Sequence, residues 1–99
     1  MTDIDEDSLR AVQHAAQQLL AHRDIEDIQF VMGSEQGRRV IWSLLEKGQV
    51  FGPCFTSDPH VTAFNEGQRN LALVLFQRVM ANCPEQYLKM AAEAQGETK

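Results

Sequence analysis

The stretch "LALVLFQRVM", Leu71 to Met80, sets the hardest condition on this chain, because it is apolar almost all the way round a helix. Leu71, Val74, Leu75 and Val79 fall on one side at helical spacing, and Ala72, Leu73, Phe76 and Met80 on the other. A helix of that kind is either central to its own bundle or buries one side in another chain. Arg78 lies within the first stripe, where a charge has to be paired or has to reach solvent along its stem. Glu35 and Glu66 are the partners in kind that the sequence supplies.

The punctuation around this stretch divides the chain into helices. Asp7 or Ser8 caps a first helix carrying Leu9, Val12, Ala15, Ala16, Leu19 and Leu20 as one stripe, ending near Ala21 to Arg23. Asp24 caps a short second helix with Ile25, Ile28, Val31 and Met32, which Gly33 ends in the left-handed conformation. Ser34 caps a third that runs to about Lys47, with Gly48 closing it. Thr62 caps the longest helix, and Pro84 opens the last after a break at Asn82–Cys83. Between them, "QVFGPCFTSDPHV" forbids a continuing helix. Its Phe51 and Phe55 either pin the loop onto the helices or form part of a partner surface. The fold predicted is all-α: a small bundle of four to five helices with one long loop between the third and the longest helix. One domain spans residues 8–94, between an acidic flexible N-terminus at 1–7 and a solvated tail at 95–99. There is no internal repeat and no low-complexity segment.

Two glycines sit inside helical patterns, where each costs on the order of 1 kcal/mol against alanine. Gly37 shares a face with Ile41, Leu44 and Leu45; Gly67 lies beside Phe64, Leu71 and Val74. Both are expected to mark a close helix crossing. Arg38 falls on the flank of the Gly37 face, between Leu45 and Trp42, and reads as a packing ion pair or cap. Arg39 points nearly opposite, toward solvent. Trp42 reads as a core anchor, and Glu66 and Arg69 belong with the crossing residues.

The motifs that could carry chemistry are incomplete. "GSEQG" lacks the Gly-Lys-Ser/Thr ending and the preceding strand of a phosphate loop. His14 and His22 are two helical turns apart, and with His60, Cys54 and Cys83 they make no metal site. A Cys54–His60 nucleophilic pair lacks an orienting third group. The two cysteines fit neither a zinc spacing nor a disulfide framework and read as reduced thiols. No cofactor and no catalytic residue is expected. The net charge of -5 counts against broad nucleic-acid binding. An Arg38–Arg39 pair with a stacking Trp42 is the one feature in favour of it, and it supports the alternative of an accessory nucleic-acid-binding module used in packaging. Met1 is followed by Asp3, Asp5, Glu6 and Asp7, unlike a signal peptide, and no apolar run reaches a membrane span.

"FVMGSEQGRRVIWSLLEKGQVFGPCF" and "TAFNEGQRNLALVLF" together resemble the Bbp-nineteen-like domain, a short helical protein of tailed bacteriophages encoded among virion-assembly genes. The similarity runs from roughly Ile25 to Ala94. Its most specific parts are Phe30 to Leu45, with the Gly-Arg-Arg spacing, and Phe64-Asn65-Glu66-Gly67 followed by Arg69. The Cys83-Pro84-Glu85 break fits as well, although Cys83 stands where the family more often has an acidic cap, and Ala72 where glycine is common. The resemblance implies a phage origin and a virion or virion-assembly setting, in the host cytoplasm and then with the particle, and does not imply an enzymatic activity. The expected role is a non-enzymatic structural or assembly protein, such as a minor virion or head–tail or ejection-associated component. Its partners would be itself, as a homo-oligomer, or other phage virion proteins. The surface expected to meet another chain is the Ala72, Leu73, Phe76 and Met80 side, or the loop phenylalanines Phe51 and Phe55.

Overall fold

A computed structural model describes residues 2–53 and 55–97 of the chain. Among them are four helices and no strand: α1 (Thr2–Met32), α2 (Glu35–Lys47), α3 (Pro59–Asn82) and α4 (Pro84–Glu97). The all-α expectation holds, with one helix fewer at the start.

The two helices expected before residue 33 are one, 31 residues long, and it is α1 that is the longest element. Asp24 does not cap a new helix. What changes near it is the phase of the apolar residues. Leu9, Val12, Ala16, Leu19 and Leu20 face one side; Ile28, Val31 and Met32 face another, roughly 120° further round the same helix. Only the second set packs. Residues 5–27 are all exposed, whereas Ile28 and Met32 are buried. The acidic segment described from Thr2 onward is thus helical, and the first three-quarters of α1 is an arm that leaves the bundle. The dimensions reflect this: 66 × 37 × 16 Å, with a radius of gyration of 19.0 Å.

The bundle itself is built from the end of α1 and the three other helices. Its core is Ile28, Met32, Ile41, Leu45, Ala72, Val79, Cys83 and Met90. Ser34 caps α2 as expected, its hydroxyl accepting from the Gly37 amide at 3.0 Å. Gly33 is not left-handed: no glycine among the described residues has positive φ, and the one left-handed residue is Gln49, at φ 56°, just after Gly48. Gly48 itself closes α2 in a right-handed conformation, its amide donating to the Leu44 carbonyl at 3.0 Å.

α3 starts earlier than Thr62. Asp58 is its cap, with a carboxylate oxygen accepting from the His60 amide at 2.9 Å, and Pro59 occupies the first turn, where a missing N–H costs nothing. Thr62 instead ties the preceding loop, accepting from the Thr56 amide at 2.8 Å. Cys83 ends α3 by donating its amide to the Val79 carbonyl, and Pro84 begins α4 at once. Residues 95–97 of the expected tail belong to α4; Thr98 and Lys99 lie outside the described residues.

Candidate functional site

Gly37 explains how α2 meets α1. A Cβ built on it would stand 1.8 Å from the Val31 carbonyl oxygen, so only glycine admits that approach. The approach brings the next residue, Arg38, beneath the last turn of α1, buried to 4% exposure. Its Nη1 donates to the Met32 carbonyl at 2.9 Å and to Gln86 Oε1 at 3.3 Å; its Nε and Nη2 donate to the two Glu93 oxygens at 2.7 and 2.9 Å. This fork-to-fork pair is the strong form of an ion pair. It ties α1, α2 and α4 together and offers a carbonyl oxygen, left open at a helix C-terminus, a charged donor. The hydrogen bonds to Glu93 raise the Arg38 pKa above its ordinary value, and the same bonds hold the Glu93 carboxyl below the usual carboxylate range. The guanidinium is committed to the fold. Glu93 and Gln86 were missing from the sequence reading; the signal was two polar residues sharing the core side of α4 with Met90 at helical spacing.

A second constellation is aromatic. Trp42 stacks on Phe51 at 5.2 Å between ring centroids; Phe51 meets Phe76 edge-on at 5.9 Å; Phe76 meets Tyr87 edge-on at 5.4 Å. These are the favoured arrangements of ring quadrupoles. They fasten the loop after α2 to α2, α3 and α4. Trp42 is therefore part of the anchoring layer, and Phe51 pins the loop. Phe55 does not: it is 84% exposed.

The remaining expected site residues are scattered. Gly67 is exposed, with open space where a Cβ would go, so it marks no crossing. The crossing of α2 with α3 belongs to Gly48, where a Cβ would stand 2.3 Å from the Cβ of Ala72. Glu66 is exposed, and Arg69 is half-buried, its Nε without a hydrogen-bond partner among the described residues. Arg78 pairs with neither expected glutamate; its Nη2 donates to the Asp24 carbonyl at 2.7 Å. On α3 the first stripe divides: Val79 is buried and Leu75 half-buried, and both pack with the Ala72 side. Ala72 is buried under Gly48, Leu73 is half-buried and Phe76 belongs to the aromatic layer, while Met80 is 38% exposed. The uncovered residues are Leu71 and Val74 on the opposite side. The reason is the path of α2, which crosses on the Gln68–Ala72 side and leaves Leu71 and Val74 without a neighbour. They border a groove of about 510 Å³ between α2 and α3, which Leu44, Leu75 and Arg78 also line.

His14, His22 and His60 are exposed, and no three His, Cys, Asp or Glu among the described residues approach closely enough to hold a metal. Cys83 is a buried free thiol whose pKa burial pushes up, with Glu85 adding to the shift; Cys54 lies outside the described residues. Among the described residues no helix is long and apolar enough to cross a membrane. What this molecule presents outward is apolar helix surface, on the α1 arm and along the α2–α3 groove.

A family model described as Bbp19-like phage protein matches residues 28–92. The match opens at Ile28, the first buried residue, and takes in all but the end of the bundle, while the arm falls outside it. No curated protein and no solved structure is similar enough to count as a match.

Proposed function

The chain belongs to the Bbp19-like phage protein family, and from that premise we propose that it is a non-enzymatic structural or assembly component of a bacteriophage, acting by docking. In this reading it works in the host cytoplasm during assembly and stays with the particle, at the head–tail region or among ejected proteins. Its partners are copies of itself or other virion proteins. The observation that carries the reading is the α1 arm, whose residues 5–27 are exposed and whose Leu9, Val12, Leu19 and Leu20 form an apolar stripe on one side. Uncovered apolar area on this scale is the mark of an interaction surface. The most buried charge, Arg38, supports the same reading, since its hydrogen bonds lock helices together instead of facing a substrate.

Mass spectrometry of purified phage particles tests the proposal. The chain is expected among the particle proteins or in assembly intermediates isolated from infected cells. Finding it only as free protein at every stage of infection would sink a virion or assembly role.

A further inference from the structure

We propose that the α1 arm is a dimerisation element, pairing antiparallel with the arm of a second copy of this chain. The pairing deepens the docking reading but depends only on the purified protein.

The first support is direction. The stripe of the arm lies roughly 120° round the helix from the side that packs on the bundle, so the chain's own core cannot cover it while α1 stays continuous. Leu9 is 57%, Val12 66% and Leu19 72% exposed. The second support is area. A folded monomer of 11.2 kDa ordinarily presents about 5,700 Å², and this chain presents 7477 Å². The excess exceeds the roughly 800 Å² that each partner contributes to a stable interface. The radius of gyration tells the same story, at 19.0 Å against about 13 Å for a compact chain of this length.

The third support names the occupant. Asp5, Leu9, Val12, Ala16, Leu19 and Arg23 are spaced alternately by four and three, the seam of a two-helix coiled coil. Read backwards, the series maps onto itself: leucine meets leucine, valine meets alanine, and aspartate meets arginine. In an antiparallel pair, Leu9 therefore packs on the partner's Leu19, Val12 on the partner's Ala16, and Asp5 faces the partner's Arg23. Two-fold symmetry makes each of these contacts twice. A parallel pair would set Asp5 against the partner's Asp5 and Arg23 against the partner's Arg23. Slipping the antiparallel pair by one heptad would set Leu9 against the partner's Glu26, or Asp5 against the partner's Ala16. Only one register matches both apolar and charged positions, over about 27 Å of helix.

Light scattering on the purified full chain across a dilution series tests this. The mass is expected to rise from that of one chain to that of two. Leu19→Glu should hold the protein at one chain at all concentrations, with the melting of the bundle unchanged, because Leu19 is 72% exposed and lies outside the core of its own protomer. Asp5→Arg and Arg23→Asp should each weaken the dimer several-fold, and the double variant should recover it. A single-chain mass at the highest concentration overturns the pairing, and is the result expected if another phage protein covers the arm. A dimer indifferent to Leu19→Glu, or a double variant no better than the single ones, overturns it too. Absence from phage particles would remove the virion role and leave this result standing.

Discussion

Arg38 grips both carboxylate oxygens of Glu93 across a separation of 55 residues, and in doing so joins the start of α2 to the end of α4. The pair fixes how stability depends on acid. Glu93 is held below its usual range by the Arg38 hydrogen bonds, so the unfolded chain takes up this proton at a higher pH than the folded one. Its contribution is fully present above the ordinary glutamate value of about 4.3 and is lost as pH falls through the folded value. Glu93→Gln is expected to melt below wild type at neutral pH, with the difference shrinking in acid. Melting curves on a descending pH series check this. A gap of constant size from neutral to strongly acid conditions would separate the pair from the acid response.

The glycines make a contrast within one molecule. Gly37→Ala forces a Cβ into the Val31 carbonyl and is expected to cost roughly 1–3 kcal/mol, as overpacking does. Gly67→Ala meets open space in a helix interior and is expected to stabilise by about 0.5–1 kcal/mol. Each kcal/mol moves the midpoint of a chain this size by roughly 4–8 °C. If both variants melt alike, the approach of α2 to α1 is not held by Gly37.

α3 offers a second contrast, within the one stripe that Leu71 and Val79 share in the sequence. Val79 is fully buried and Leu71 is 75% exposed. Val79→Ala is expected to cost roughly 2 kcal/mol through lost burial and the cavity left behind. Leu71→Ala should stay within about 0.5 kcal/mol. Denaturant titration of both reads which part of that stripe faces inward, and the reverse order would overturn the packing described for α3.

Ser34 accepts from the Gly37 amide at 3.0 Å. Its replacement by alanine leaves a helix N-terminus short of an acceptor and is expected to cost about 1 kcal/mol. A glycine in its place should cost only a few tenths. Chemical denaturation resolves the two.

Much of this was legible in the sequence, for local reasons. The Ser34 cap, the helix stop at Gly48, the start at Pro84 and the all-α class follow from which backbone groups lack partners and which side chains supply them. The need for a partner at Arg38 was legible too, since the residue sits on the flank of an apolar face. The partner itself was not. Glu93 and Gln86 are ordinary polar residues on α4 until α4 is laid against α2, and that contact is a property of the tertiary arrangement. The same limit applied to α3, whose two apolar sides are equivalent in sequence and are told apart only by the path of α2 across Gly48 and Ala72. α1 failed differently. A shift in apolar phase near Asp24, with a good capping residue present, reads as a break. A continuous helix accommodates the same shift by showing two faces to two environments. Residues 21–27 hold neither glycine nor proline to break the helix, and Arg78 secures the Asp24 carbonyl from outside.

Cys83 closes α3 from inside the core, 2% exposed and with its thiol pKa raised by burial. Because the thiolate is the reactive form, this side chain is silent toward alkylating reagents while the bundle is closed. In a Cys54→Ser chain, labelling would then advance only as fast as the helices part. Where reclosing outruns the reagent, the labelling rate reports the equilibrium between closed and open bundle. Where the reagent is fast, it reports the opening rate itself. The residue that ends a helix is thus also a clock for how often the bundle comes apart.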